Sequence, residues 1–439
     1  MTIKKTLITL SVATTLMLSS CGSDSKSEIK KEVFTQVKDL SDVQKKETIQ
    51  TALNAYANMA ISRYTQALND AKTLQTKVKE FTNAPSTTTL KSAKDAWLLS
   101  RESYLLTEAF RLSNTPIDAE EGFASTFGAP EGQLNAWPLD ENMIDYVSDS
   151  NGKIAGANII NASGKFTPTG DEAKEVDVTI ITKEMLSQLN ENGGDANIAI
   201  GYHAIEFLLW GQDQDYDSFI ADNISNGALQ AGNRPLSDYT TDSHKDRRIA
   251  YINSATALMV DDLQSVVDAW SKGGYKEAFL GEGKNAISQT TALKNIFAGL
   301  GVFIKSELAN ERIAVAVLTP SEEDEHSCFS DNTHRDIVQD YQGFKDILAI
   351  FSKNLSDEEK NSIALQEKSI DAKVKIINDV ATSTYHFDYQ IISANNHSQN
   401  IVDAKNEMRD LGDEIIKVAK EYGITLGEED VTDTEETQI

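Results

Sequence analysis

The stretch from Lys46 to about Phe81 limits the fold more than any other part of the chain. Ile49, Leu53, Tyr56, Met59, Ala60 and Tyr64 recur there at three- and four-residue steps. An apolar stripe with that period is one face of an amphipathic helix. Asn83, Pro85 and Ser86 break it. A second helix is expected from about Thr88 to Leu112, burying Ala93, Trp97, Ser100, Tyr104, Thr107 and Phe110. Long helical patterns return at about 245–270 and 285–318, separated by Gly273, Gly274, Gly281 and Gly283. Others follow at about 333–352, 357–380 and 398–421. Only 7 prolines interrupt 439 residues, so the expected class is all-α.

A chain this long exceeds one ordinary core. Long helix, long helix and acidic or aromatic loop follow one another once in each half. The expected architecture is therefore two helical-bundle halves, residues 41–235 and 236–425, in an arrangement compatible with a duplication. Residue identity between the halves is faint: TEAFRL at 107–112 stands against ANERIA at 309–314. Residues 151–195 read as an irregular insertion of loops and short elements in the first half.

The ends carry different signals. Lys4 and Lys5 precede an apolar run from Leu7 to Leu18, which makes residues 1–20 a secretory signal, too short to span a membrane. The sequence LSSC resembles the bacterial lipobox. That resemblance implies cleavage before Cys21, a lipid on Cys21 and a tether over residues 21–40; a plain secretory signal cut elsewhere is the competing reading. Gly22, in place of aspartate, resembles the outer-membrane sorting signal of Gram-negative lipoproteins. The expected location is the bacterial cell envelope, at the outer membrane, facing the periplasm or the cell surface. With Cys21 lipidated, Cys328 has no intrachain partner, and packing rather than disulfides must hold the fold. Residues 426–439, ending in EEDVTDTEETQI, are expected to form a disordered acidic tail. A net charge of −27 without a basic cluster excludes nucleic acid as the expected partner.

Two stretches carry candidate chemistry. In GYHAIEFLLWGQD, residues 201–213, His203 and Glu206 stand three apart in an otherwise apolar run. Asp195 can cap this helix and Gly211 can end it. Being apolar almost all round, the helix should be central, and the i,i+3 spacing points both ionisable groups into one interior space. Gly201 would let another backbone or a ligand come close. The two groups are then a buried hydrogen-bonded pair, ligands of iron or zinc, a hydrolytic zinc centre, or part of a small-molecule pocket. The second stretch, SEEDEHSCFSDNTHRD at 321–336, holds Glu323, His326, Cys328, Asp331, His334 and Asp336. Glu323 with His326, and Asp331 with His334, share a face if the backbone is helical there. The first acids could simply favour a helix N-terminus, and Cys328 reads as an inert buried thiol.

The GxHxxE pattern of Gly201, His203 and Glu206, with its continuation FLLWGQD, resembles the imelysin family of bacterial exported proteins. TEAFR at 107–111, WPLDENMIDYV at 137–147, ELANERIAVAV at 307–317 and EDEHSCFSDNTHRD at 323–336 extend the likeness, which is nearest to the iron-regulated protein A branch. It implies a two-domain helical lipoprotein linked to iron acquisition, with its site between the halves. On this reading His203 and Glu206 bind a metal ion or an iron complex, iron or zinc, with Glu108, Arg111, His326, Asp331 or His334 completing or supporting the site. A membrane transporter or receptor is the expected protein partner. The family's peptidase label makes a zinc metallopeptidase the alternative, but neither HExxH nor HxxEH occurs. Trp97, Arg101 and Trp137 read as scaffold or as supports behind the ligands, and Glu108 with Arg111 as a buried salt bridge.

Overall fold

The structure, a computed structural model, describes residues 36–149, 152–154, 156–213, 229–318, 320 and 324–433. Cys21, the signal segment, the tether up to residue 35 and Glu323 lie outside these. Ser41 and Gln44 close a capping box at the start of α1 (Asp42–Asn83), and Ser86 with Thr89 does the same for α2 (Thr87–Leu105). The buried face of α1 includes Ile49, Leu53, Tyr56, Ala60 and Tyr64, as the stripe predicts, with Met59 only partly covered. It packs along both α2 and a later long helix, while α2 reaches the element that carries GxHxxE.

That element, α3 (Gly201–Trp210), is buried at every residue. It begins at Gly201, not near Asp195. The Asn190 side chain takes the Ala199 N–H at 3.0 Å and holds the preceding strand of chain extended. Gly201 then turns with φ of +85°, and the Leu134 carbonyl lies 2.6 Å from where a Cβ would stand. The close approach that glycine permits is thus to backbone. Trp97 Nε1 donates to the Tyr202 carbonyl at 3.0 Å and ties α3 to α2.

Between α2 and α3 the chain is irregular, as expected: two short antiparallel pairs, Val147–Asp149 with Gly152–Ile154 and Lys165–Phe166 with Val176–Asp177, and a helix at Lys183–Leu189. Next come α4 (Lys245–Ser271), which lies along α1 and α3, and α5 (Gln289–Val302). The expected helix at 285–318 is not uniform. After α5 it loosens into a π-helical stretch, Phe303–Ala314, before a last α-turn at Val315–Leu318. Three more follow: α6 (Thr333–Ser352), α7 (Asp357–Ala381) and α8 (Ser398–Glu421). The second expected helix also stops early. A single 3₁₀ turn, Glu108–Phe110, and a left-handed Leu112 (φ 60°) redirect the chain after α2.

The start of the acidic tail is docked rather than disordered. Val431 is fully buried against Gly301, and Asp433 N–H donates to Ser306 Oγ at 2.9 Å. Gly301 leaves room for one valine, which apolar periodicity could not reveal. No described helix is long and apolar enough to cross a membrane.

Candidate functional site

His203 and Glu206 share the interior face of α3 and touch: Nδ1 lies 3.1 Å from Oε2. Both side chains are fully buried. Burial pushes the Glu206 carboxyl up to about 8. Burial, and then the Arg101 guanidinium, hold His203 well below its usual value. Near neutral pH the contact is therefore a neutral acid–imidazole hydrogen bond, not an ion pair. The other carboxylate oxygen, Oε1, accepts from Ser330 N–H at 2.9 Å and Ser330 Oγ at 2.6 Å.

Arg101, on the buried face of α2, is the centre of the surrounding network. Its Nη2 is 2.9 Å from Asp336 Oδ2, 3.2 Å from His326 Nδ1 and 3.5 Å from His203 Nε2. His326 Nδ1 is itself 2.8 Å from Asp336 Oδ2. Burial would raise the Asp336 carboxyl, but Arg101 and His326 hold it well below the usual carboxylate range. Asn135 accepts from Arg101 Nη1 and donates to Glu108 Oε2 at 3.1 Å. Glu108 is bonded by Arg312 and by Arg111, the latter at 3.1 Å. Burial acts to raise Glu108, and Arg312 and Arg111 overcome it. The predicted Glu108–Arg111 salt bridge exists, extended through Arg312 and Glu307 on the π-helical stretch. In a regular α-helix the side chains of that stretch would emerge at other angles.

The outer members of this network line a cleft of about 320 Å³. Arg111, Glu131, Trp137, Glu307, Arg312 and His326 are among its walls. Trp137 and His326 stand between the cleft and His203, with ring centroids 4.8 and 4.9 Å from the His203 ring. Burial and then Arg312 lower His326 to about 4, so its ring is neutral near pH 7. Burial lifts Glu131 to about 7 against the pull of Arg111. Glu307, which burial alone would raise, is held at about 2 by Arg111 and Arg312.

Of the sequence-predicted residues, the structure gathers His203, Glu206 and His326, and joins Glu108 and Arg111 to them through Asn135 and Arg101. Asp331 and His334 turn elsewhere. Asp331 has a left-handed backbone (φ 56°), so the expected shared helical face does not form. His334 Nδ1 instead meets the Asp331 carbonyl at 3.1 Å, and Asp331 Oδ2 meets His386. Arg101, read as scaffold or support, stands behind His203 and His326 at the centre of the network. Asp336 stood in the acidic and histidine-rich stretch at 321–336, whereas Ser330, Asn135 and Arg312 carried no local signal, because their partners lie far away in sequence. Cys328 is a buried thiol outside any disulfide.

As arranged, the His203–Glu206 pair does not fit a bare metal ion. Its carboxylate is held by Ser330 and His203, and the imidazole Nε2 faces a guanidinium. A divalent ion at Nε2 would stand beside a fixed positive charge, a repulsion on the order of several kcal/mol even at moderate effective dielectric.

The family profile that matches the chain is Imelysin (Peptidase M75), over residues 60–415. No curated protein sequence matches it. Among solved structures it is similar to one named as an iron-regulated protein A precursor, from Parabacteroides distasonis ATCC 8503. That match has 15% identity and a TM-score of 0.59, covering 86% of this chain and 95% of the other. An imelysin-like protein from Psychrobacter arcticus 273-4 is similar at 13% identity and a TM-score of 0.53, covering 90% of this chain and all of the other. At these identities the structures attest the all-helical fold alone, whereas the profile match spans most of the sequence: the chain belongs to the imelysin family.

Proposed function

We propose that this protein is a lipid-anchored receptor of the bacterial cell envelope that binds iron or an iron complex as cargo in the cleft above Arg101. One observation carries the reading. The cleft sets two guanidiniums, Arg111 and Arg312, beside the carboxylates of Glu131 and Glu307 and the neutral imidazole of His326. Guanidiniums match the carboxylates of an anionic iron chelate, and with His326 3.2 Å from Arg101 and Glu307 paired with both arginines, the lining favours an iron complex over a bare ion. The solved relative named for iron regulation adds support. In this reading Glu131, Glu307 and His326 contact the cargo, and the His203–Glu206 pair positions His326 from behind.

Equilibrium dialysis of the purified mature protein against ferric citrate and against Fe(II) tests it. Glu307→Gln and His326→Ala should each weaken iron retention. Unchanged retention in both would overturn the cleft reading. Loss of iron only in the His203→Ala/Glu206→Ala double variant would make that pair the ligands. The family's peptidase label offers a second reading, but a zinc hydrolase needs an open coordination position for water and a nearby base. Glu206 is engaged by Ser330 and His203, so peptide cleavage restored by zinc after chelation is not expected from the same preparation. The anchor rests on LSSC: Cys21→Ser should release the protein from the membrane fraction, and retention there would contradict it.

A further inference from the structure

Asp213, Asp331 and Asp388 come from three distant parts of the chain, yet each offers a carboxylate oxygen within 4.8 Å of the others. All three are at most 3% exposed. One carboxylate oxygen each on Asp331 and Asp388 is buried without a hydrogen-bond partner. Among the described residues no lysine or arginine pairs with Asp331 or Asp388. The one base in contact is His386, bound to Asp331.

Buried carboxylates that converge without a cation cost several kcal/mol each unless protons or a metal neutralise them. We propose that Asp213, Asp331 and Asp388 hold a resident divalent cation of the calcium class, separate from the cleft and independent of its iron reading. The converging donors are all hard oxygens, the preference of calcium, and the nearby His386 imidazole is turned to Asp331. Two oxygens on opposite sides of an ion at about 2.4 Å would be about 4.8 Å apart, a span this group satisfies. Magnesium demands tighter octahedral geometry and keeps several waters, which this enclosed position does not favour. The same enclosure suits an ion that stays rather than cargo that must leave. Bound there, the ion would tie the chain after α3 to the turn before α6 and to the segment after α7.

The test uses the full mature chain. Elemental analysis after purification without chelator should find calcium. After chelation, added calcium should raise the melting temperature, and calorimetry should show saturable binding. Asp388→Asn should lose both responses and, in chelator, melt at or above the wild type, because a repelling carboxylate is gone. Asp213→Asn provides the same comparison if Asp388→Asn does not fold. His203→Ala should keep the calcium response, which separates this site from the cleft. A wild-type protein whose stability and calorimetry ignore calcium would overturn the proposal and leave shared protons as the neutralising charge. So would a calcium response that survives both asparagine variants.

Discussion

Ser330 and Asp331 are neighbours in sequence but serve two different electrostatic regions. Ser330 reaches toward Glu206 and the network around Arg101, where Asp336 and Glu108 each have a guanidinium of the protein's own. Asp331 turns through its left-handed backbone to meet Asp213 and Asp388, where carboxylates converge and Asp331 is bound by His386. Burial is nearly complete on both sides. Where the chain supplies the counter-charge, the carboxyl of Asp336 is held well below its ordinary range. Where it does not, Glu325 is driven well above it. Depth alone therefore does not decide the charge of a buried acid: Asp336 and Glu325 are both deep and are shifted in opposite directions.

The strongest way to break this comparison is to remove the counter-charge where it exists. Arg101→Met leaves Asp336 buried beside His326 without its guanidinium, and breaking a buried pair in this way costs about 3–5 kcal/mol. Urea unfolding should show that loss, in contrast to Asp388→Asn, which should not destabilise the cation-free protein. If both substitutions destabilise alike, the two regions do not differ in the way their geometry indicates.

A second ionic cluster extends the paired side. Asp145 lies 2.7 Å from Arg234 and 2.7 Å from Arg248. Burial would raise its carboxyl, but the two arginines hold it below the usual carboxylate range. A depressed folded-state pKa gives stability that is complete above the unfolded value, about 3.9. That stability is lost as pH falls through the folded value. Arg248→Met should thus lower the urea midpoint at pH 6 and make the decline below pH 4 shallower than in the wild type. A variant whose deficit stays constant from pH 6 to pH 3 would show that Asp145 does not titrate in this way.

How much of this was readable in sequence follows from the range of each interaction. The stripe of α1 and the apolar run of α3 repeat within one helix, so periodicity finds them. The contact of His203 with Glu206 follows from i,i+3 spacing for the same reason. Arg101 meets Asp336 across 235 positions, and Asp213 meets Asp331 and Asp388 only through folding. No spacing rule reaches these. The turn at Leu112 and the π-helical stretch escaped notice because both are imposed by tertiary contacts on sequence that reads as ordinary helix. Helix α3 began later than expected for a local reason: the positive φ of Gly201 is set by the Leu134 carbonyl, not by a capping side chain.

That glycine gives the next, smaller effect. Gly201→Ala places a Cβ against the Leu134 carbonyl in a left-handed conformation, which costs about 1–2 kcal/mol for the backbone alone. Thermal unfolding should show a loss below that of Arg101→Met. A neutral result would mean that the turn into α3 can relax, and with it the placement of His203.

The smallest expected effect isolates burial from distance. Lys91 and Asp95 on α2 approach to 2.7 Å, the same separation as Arg234 and Asp145, but their side chains are 74% and 57% exposed against 2% and 2%. In water each exposed charge keeps its solvation whether or not its partner is present, so the pair adds little and salt screens it further. Lys91→Ala should change stability by about 0.5 kcal/mol or less, and the difference should fade as ionic strength rises. Arg248→Met, measured beside it, should cost several-fold more and respond weakly to salt. If the two variants lose equal stability, desolvation is not what gives the buried pairs their weight. The unneutralised carboxylates around Asp331 would then need no cation to be tolerated.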